Sequence, residues 1–207
     1  IKNLYQEGFK QFPCTLLNCG DVMQDAALFY ANKAKCPDFS LPEHFILATL
    51  HRAENTDSPE RLQSIIAALE EIAREMPVVI PIHPRTRKKL QELNFDFKQT
   101  RLQLVDPVGY LEMVHLLKHC SLVATDSGGL QKEAYFFKKY CITLRTETEW
   151  VELVEQGANI ITGWRYEDIL NNYKQLKHTT KDVFSSPLYG DGEAGHIIIR
   201  ELQRIDS

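Results

Sequence analysis

Most of the chain alternates between two patterns of hydrophobic positions. Short continuous apolar runs are followed by segments in which apolar residues recur every three or four positions, and the alternation repeats about six times. The continuous runs predict buried strands and the periodic segments predict helices. Strands are expected at 44–50, 78–82, 102–105, 121–125, 140–144 and 159–162. Helices are expected at 58–76, 85–93, 110–120, 129–137, 150–157, 166–176 and 194–205.

The segment 58–76 carries a full set of helix signals. Its apolar residues fall on one face: Leu62, Ile65, Ile66, Leu69 and Ile72. Ser58 is suited to cap the N-terminus, and Pro59 is suited to the first helical position. Strands that are apolar throughout need cover on both faces. The alternation therefore predicts an α/β fold, with a parallel sheet between two helical layers and right-handed crossovers.

Residues 1–40 do not follow this alternation. Residues 20–34 have the periodicity of one helix, and the region of Cys36 and Pro37 is predicted to be a connector. The chain begins at Ile1 inside a helix-like segment, and we expect it to be a piece of a longer protein.

Composition and charge exclude several classes of protein. The formal net charge of −4 and the pI near 6.0 argue against a nucleic-acid-binding face, which would be basic. No apolar window approaches the roughly 18 residues that a membrane span needs. The five cysteines are odd in number and lack metal-ligand spacing, which predicts a cytoplasmic protein without disulfides.

Polar residues follow the predicted strands where ligands bind to an open parallel sheet, beyond the carboxyl ends. His51, Arg52 and Glu54 come after the first strand, and His83 comes after the second. Histidine can move a proton or contact a phosphate, and arginine can neutralise one. Each loop taken alone favours a solvated surface loop, but two such loops at adjacent strand ends are less easily explained in that way.

The stretch 123–134 ends a strand and begins a helix with Ser127, Gly128 and Gly129. Glycine lets a ligand approach the backbone, and the first helical turn offers unpaired N–H groups to a phosphate. Glu133 lies about one turn further into the helix, where a carboxylate suits the hydroxyl groups of a ribose. The alternative is a tight turn followed by a glutamate that faces solvent.

Other signals are weak or missing. Arg145 follows the fifth strand and could meet the same ligand, or it could belong to a charged surface loop. The motifs G-x-G-x-x-G and G-x-x-x-x-G-K-[ST] do not occur, so the sheet is not an obvious NAD or ATP site. No third ligand stands at a suitable spacing from His51 and His83, and we expect no metal.

Five segments together resemble one family. The segments "LNCGDVMQDA", "ATLHRAENTDSPERL", "IPIHPRTRKKL", "TDSGGLQKEA" and "YGDGEAGHIII", in this order, are similar to the C-terminal half of the non-hydrolysing UDP-N-acetylglucosamine 2-epimerases. The resemblance covers nearly the whole chain. "TDSGG" is shared with other sugar-nucleotide enzymes, whereas "HRAEN" combined with "YGDGEA" is far more specific.

The resemblance implies a Rossmann-like, three-layer parallel sheet that forms one half of a glycosyltransferase-B architecture. It divides the chain into an interdomain connector and helix at 1–40, a UDP-binding domain at 41–180 and a C-terminal crossover helix at 181–207. It implies interconversion of UDP-N-acetylglucosamine and UDP-N-acetylmannosamine by elimination and re-addition of UDP, without a metal or cofactor. The implied partners are the UDP-sugar, an N-terminal domain that carries the C2 acid and base, and a second subunit. This chain alone is expected to be inactive.

The resemblance also implies roles for individual residues. His51 lies at the junction of sugar and diphosphate as the catalytic residue, and Arg52 and Glu54 complete its motif. Ser127, Gly128 and Gly129 hold the diphosphate, and Glu133 holds the ribose. The uracil is expected near Met113, and His83 is a further substrate-binding residue.

Two departures keep alternatives open. Many relatives have T-E-R-P-E where this chain has "TETEWVE", so that Trp150 replaces an arginine of the phosphate region. A branch that acts on UDP-2,3-diacetamido-2,3-dideoxyglucuronate would be compatible with a tryptophan. Asp126 and Glu133 approach the spacing of the paired acids of retaining glycosyltransferases, and a UDP-sugar-binding module without catalysis is the remaining alternative.

Overall fold

A computed structural model describes residues 1–205 and contains one six-stranded parallel sheet. The strands are β1 (Ile46–Thr49), β2 (Val78–Pro81), β3 (Gln103–Val105), β4 (Leu122–Thr125), β5 (Cys141–Thr143) and β6 (Asn159–Ile161). All six predicted strands are present, and each is one to three residues shorter than predicted.

Ten α-helices are described. They are α1 (Lys2–Gln6), α2 (Val22–Ala31), α3 (Ala53–Thr56), α4 (Pro59–Ile72), α5 (Pro84–Glu92), α6 (Tyr110–His119), α7 (Gly128–Phe136), α8 (Val151–Glu155), α9 (Tyr166–Lys177) and α10 (Ala194–Ile205). The four-residue α3 is the helix that the hydrophobic pattern did not predict. Within residues 1–205, no helix is long and apolar enough to span a membrane.

The strand order β3-β2-β1-β4-β5-β6 reverses direction between β1 and β4. Connections leave the sheet in opposite directions on the two sides of this pair, so a crevice opens beyond its carboxyl end. Thr49 at the end of β1 is in register with Thr125 at the end of β4, and their hydroxyl groups are 2.6 Å apart. The loops after these two strands therefore begin at the same position along the strand direction.

The core lies on both faces of the sheet, as the continuous apolar runs predict. Ile46 and Ala48 of β1 belong to one buried cluster with the apolar face of α4, and Leu47 belongs to a second cluster that contains Leu116 and Leu130. Burial of each large side chain contributes about 1.5–3 kcal/mol. The capping prediction is also confirmed, since the Ser58 hydroxyl accepts the Arg61 N–H at the start of α4.

Residues before the sheet and after it meet at α2. This helix packs on α6, α7 and α10. The Asp21 side chain caps its N-terminus by accepting the Met23 N–H, and it also pairs with Lys132 of α7. The division into an interdomain segment at 1–40, a UDP-binding domain at 41–180 and a C-terminal crossover helix at 181–207 stays a prediction, and residues 206–207 lie outside the described residues.

Asp25 joins α2 to the C-terminal helix, and its replacement by alanine should loosen that helix. The carboxylate accepts the N–H groups of Ala194 at 3.2 Å and Gly195 at 2.7 Å. Loss of such a cap costs about 1 kcal/mol. We expect faster hydrogen exchange in α10 and unchanged exchange in the strands. Equal protection of α10 in the parent and the variant would contradict this role.

Candidate functional site

A cavity of about 300 Å³ opens at the carboxyl end of the sheet, above β1, β2 and β4. Six of the nine residues predicted for the site line it: His51, His83, Met113, Ser127, Gly129 and Glu133. They come from four separate loops and helices, and the crevice between β1 and β4 brings them together. The placement agrees with the expectation that the loops after the strands share one site.

The other three predicted residues lie outside the lining of this cavity. Arg52 borders Gly128, where its Nη2 atom would lie 3.5 Å from an added β-carbon, and it also lies 3.7 Å from Glu149 Oε1. Glu54 Oε1 lies 3.4 Å from Arg145 Nε. A role for Arg52, Glu54 and Gly128 in substrate binding stays a prediction.

The turn at 127–129 combines a capped helix start with open backbone groups. The Ser127 hydroxyl accepts the Leu130 N–H at 3.4 Å, and the Ser127 N–H donates to the Thr125 hydroxyl at 2.9 Å. Gly128 and Gly129 occupy the first turn of α7, where N–H groups have no acceptor within the helix. The positive end of the helix dipole lies at the same place. This turn can bind an anion that enters the cavity.

Glu133 is buried rather than solvent-facing, with 9% of its surface exposed. Burial raises the pKa of its carboxyl, and the nearby Tyr110 hydroxyl opposes this effect. Burial and the neighbouring Glu133 carboxylate together raise the pKa of Tyr110 to about 12. A partly desolvated carboxylate at the wall of a cavity is suited to accept hydrogen bonds from ligand hydroxyl groups.

The raised pKa of Glu133 predicts that Glu133→Gln stabilises the unliganded chain. The folded-state pKa lies above the ordinary value of 4.5, so ionisation opposes folding. The penalty is complete above the folded-state pKa and disappears as the pH falls towards 4.5. Thermal unfolding at neutral pH should therefore show a higher melting temperature for the variant, with a difference that shrinks on acidification.

Glu149→Gln is the matched control, because Arg145 lowers the pKa of Glu149 to about 2. That carboxylate stabilises the fold above the ordinary value of 4.5, and its contribution is lost as the pH falls towards 2. Glu149→Gln should therefore lower the melting temperature at neutral pH. A lower melting temperature for Glu133→Gln as well would contradict the assignment.

His83 has two roles in the geometry. Its Nδ1 atom accepts the Arg85 N–H at 3.2 Å and so caps α5, while its ring lines the cavity. Because Nδ1 accepts a hydrogen bond, the neutral ring carries its proton on Nε2. His83 can therefore offer a hydrogen-bond donor to a ligand.

Asp126 supports the site and was not among the predicted site residues. Its carboxylate is fully buried and accepts the His51 N–H at 3.1 Å and the Arg52 N–H at 2.9 Å. The Asn55 amide donates to the same carboxylate at 3.3 Å and to the Leu144 carbonyl at 2.9 Å. The one signal in the sequence is an acidic residue directly after a buried strand.

The loop after β5 is buried more deeply than a charged surface loop would be. Arg145 is 6% exposed and forms two hydrogen bonds with the Glu149 carboxylate, at 2.8 and 3.1 Å. The Trp150 indole N–H donates to the Gly128 carbonyl at 2.8 Å. Arg145 does not line the cavity. The loop after β5 contacts the 127–129 turn through Trp150 and so supports it.

Comparison with known proteins identifies similar sequences over the whole site. The family model described as UDP-N-acetylglucosamine 2-epimerase matches residues 1–203. A UDP-2,3-diacetamido-2,3-dideoxy-D-glucuronate 2-epimerase from Pseudomonas aeruginosa is 49% identical over 99% of this chain and 57% of its own length. A UDP-N-acetylglucosamine 2-epimerase from Methanocaldococcus jannaschii is 40% identical over 78% of this chain and 45% of its own length.

Solved structures confirm the Rossmann-like fold class. The Methanocaldococcus jannaschii UDP-GlcNAc 2-epimerase in complex with UDP-GlcNAc and UDP superposes with a TM-score of 0.84 at 35% identity, over 98% of this chain and 58% of that chain. The Neisseria meningitidis enzyme bound to UDP-GlcNAc gives a TM-score of 0.81 at 27% identity, over 98% and 58% of the two chains. The chain spans about half the length of these proteins, as expected for one half of a glycosyltransferase-B architecture.

Proposed function

Because the chain belongs to the UDP-N-acetylglucosamine 2-epimerase family, we propose that it forms the nucleotide-binding half of a UDP-sugar 2-epimerase. The proposed reaction interconverts UDP-N-acetylglucosamine and UDP-N-acetylmannosamine. The observation that carries the proposal is one cavity in which Ser127 and Gly129 lie with His51 and Glu133. That cavity offers a donor turn for a diphosphate and an acceptor for a ribose.

The nucleotide is proposed to lie across the cavity from the 127–129 turn to α6. The diphosphate binds at the N-terminus of α7, where helix N–H groups and the dipole favour an anion. The ribose hydroxyl groups donate to Glu133, and the uracil lies near Met113. Arg52 borders the same turn and contributes positive charge, and His83, which also lines the cavity, contributes a donor.

The proposed chemistry is elimination followed by re-addition. A base outside this chain removes the C2 proton, a double bond forms between C1 and C2, and the C1–oxygen bond breaks with its electron pair leaving on UDP. Re-addition of UDP to C1 and return of a proton to the opposite face of C2 complete the inversion. His51 stabilises the charge that develops on the departing UDP. The route uses neither a metal nor a redox cofactor.

The remaining parts of the proposal concern the intact protein. An N-terminal domain is proposed to supply the C2 acid and base. The intact protein is proposed to be a cytoplasmic homodimer. The chain alone is expected to bind UDP without epimerising the sugar.

A second candidate substrate is UDP-2,3-diacetamido-2,3-dideoxyglucuronate. It is favoured by the 49% identical Pseudomonas aeruginosa relative that carries this name and by Trp150 beside the 127–129 turn. A retaining glycosyltransferase is less well supported. Its first acid would correspond to Asp126, whose buried carboxylate is bonded to backbone groups rather than lining the cavity.

Isotope exchange tests the proposed function. The intact protein, incubated in deuterated water with either UDP-sugar, should incorporate deuterium at C2, and the substrate with the larger kcat/KM identifies the sugar. The present chain should bind UDP in a calorimetric titration and exchange nothing. Transfer of the sugar to an acceptor without C2 exchange would contradict an epimerase and support the glycosyltransferase.

A further inference from the structure

We propose that Asp126 is a positioning residue that fixes the tautomer and orientation of His51 for the proposed elimination. The expected effect on the rate of C2 exchange rests on the proposed function. The contact between Asp126 and His51 concerns residues of this chain only. The Asp126 carboxylate lies beneath the loop that carries His51 and faces the imidazole, with Oδ1 3.4 Å from His51 Nδ1.

The carboxylate is held in place from three directions. Both oxygens lie 3.1 Å from the His51 N–H, and Oδ2 also accepts from the Arg52 N–H at 2.9 Å and the Asn55 amide at 3.3 Å. Asn55 is anchored in turn to the Leu144 carbonyl. A fully buried carboxylate with these bonds has little freedom to turn away from the ring.

An ionised carboxylate accepts hydrogen bonds and cannot donate one. The ring nitrogen that faces it, His51 Nδ1, is therefore the one that carries a proton in the neutral ring. The opposite nitrogen, Nε2, is left for the cavity, which the His51 ring lines. With a second proton on Nε2, the ring becomes a donor that can meet the oxygen of a departing diphosphate.

The other charged groups around His51 do not replace this contact. His83 and Glu133 also line the cavity, but among the described residues neither forms a hydrogen bond or ion pair with His51, and the guanidinium of Arg52 lies by Glu149. His83 is itself held through Nδ1 by the Arg85 N–H, which sets the opposite tautomer. In their neutral forms both histidines therefore leave Nε2 for a ligand, as an acceptor in His51 and as a donor in His83.

Nuclear magnetic resonance of the chain with ¹⁵N-labelled histidine tests the geometry directly. The spectra are recorded at about pH 9, above the ordinary histidine pKa of about 6.5. His51 should show a proton on Nδ1, whereas His83 should show its proton on Nε2. Asp126→Asn should shift the His51 tautomer and leave His83 unchanged. A parent protein whose His51 carries its proton on Nε2 would overturn the proposal without any variant.

Asp25→Asn is the matched control, because Asp25 also accepts two backbone N–H groups but caps α10. It should leave the His51 spectrum unchanged. In the intact protein, Asp126→Asn should lower kcat for C2 exchange about ten- to a hundredfold, since a ring that the carboxylate no longer orients loses the geometry of its catalytic hydrogen bond. The Kd for UDP should change less than about threefold, because Asp126 supports the ring without lining the cavity.

The outcomes separate the two proposals. Absence of C2 exchange in the parent contradicts the proposed function, while the His51 tautomer still decides the geometric proposal. Normal exchange in the parent with an undiminished rate in Asp126→Asn overturns the positioning role. An Asp126→Asn protein that loses UDP binding as strongly as it loses exchange would also overturn it, because that result indicates a general structural role.

Discussion

Replacing His51 by alanine in the intact protein is expected to slow C2 exchange by about 10²–10³-fold, the usual effect of losing a donor that stabilises developing negative charge. His51 follows β1 and lines the cavity beside Ser127 and Gly129. Elimination transfers an electron pair to the departing UDP, so this interaction is stronger in the transition state than in the bound substrate. The loss should therefore fall mainly on kcat, with a smaller change in KM.

His196→Ala provides the control for the loss of an imidazole. His196 lies in α10, its side chain is 75% exposed, and it pairs with Glu193 outside the cavity. This variant should keep the parent rate. A His51→Ala enzyme that exchanges deuterium within about threefold of the parent would contradict the assignment of His51, because a group that contributes transition-state stabilisation costs far more when removed.

Replacing Gly129 by alanine is expected to weaken UDP binding about a hundredfold. Gly129 lines the cavity, so we expect an added β-carbon to hinder the approach of the diphosphate to the helix N–H groups. Each hydrogen bond to a charged group contributes about 1.5–3 kcal/mol, so loss of one or two accounts for this factor. The fold itself tolerates the change, because the new atom would lie 3.7 Å from Met23 Cε, an ordinary contact.

Stability distinguishes a blocked site from a damaged protein. Replacement of glycine by alanine in an unstrained helix position stabilises a protein by about 0.4–1 kcal/mol. Gly129→Ala should therefore melt at the parent temperature or slightly above it. Gly195→Ala makes the same exchange near the start of α10 and should leave UDP affinity unchanged. Parent-like affinity of Gly129→Ala in calorimetry would contradict a diphosphate at this turn.

The strands and most helices could be predicted because burial on both faces of the sheet requires continuous apolar runs in the strands and apolar positions at helical spacing in the helices. Ile46, Leu47 and Ala48 are successive and all buried, which is possible only between two helical layers. The ends of the elements were less predictable. Short α3 has no apolar periodicity, and it forms where the Asp126 carboxylate holds the preceding backbone.

The site was predictable in its parts more than in its connections. Residues after parallel strands must gather at one edge, which brought His51, His83 and the 127–129 turn together. The support from Asp126 depends on the level ends of β1 and β4, a register that the sequence pattern does not specify. Likewise, the pairing of Arg145 with Glu149 depends on the conformation of the loop after β5, which the hydrophobic periodicity of the sequence does not predict.

A crystal structure of this chain with UDP tests the proposed site most directly. The diphosphate should lie at the N–H groups of Gly128 and Gly129, with the ribose hydroxyl groups on Glu133. A structure in which UDP binds elsewhere and the cavity above β1 and β4 stays empty would rule out the proposed site.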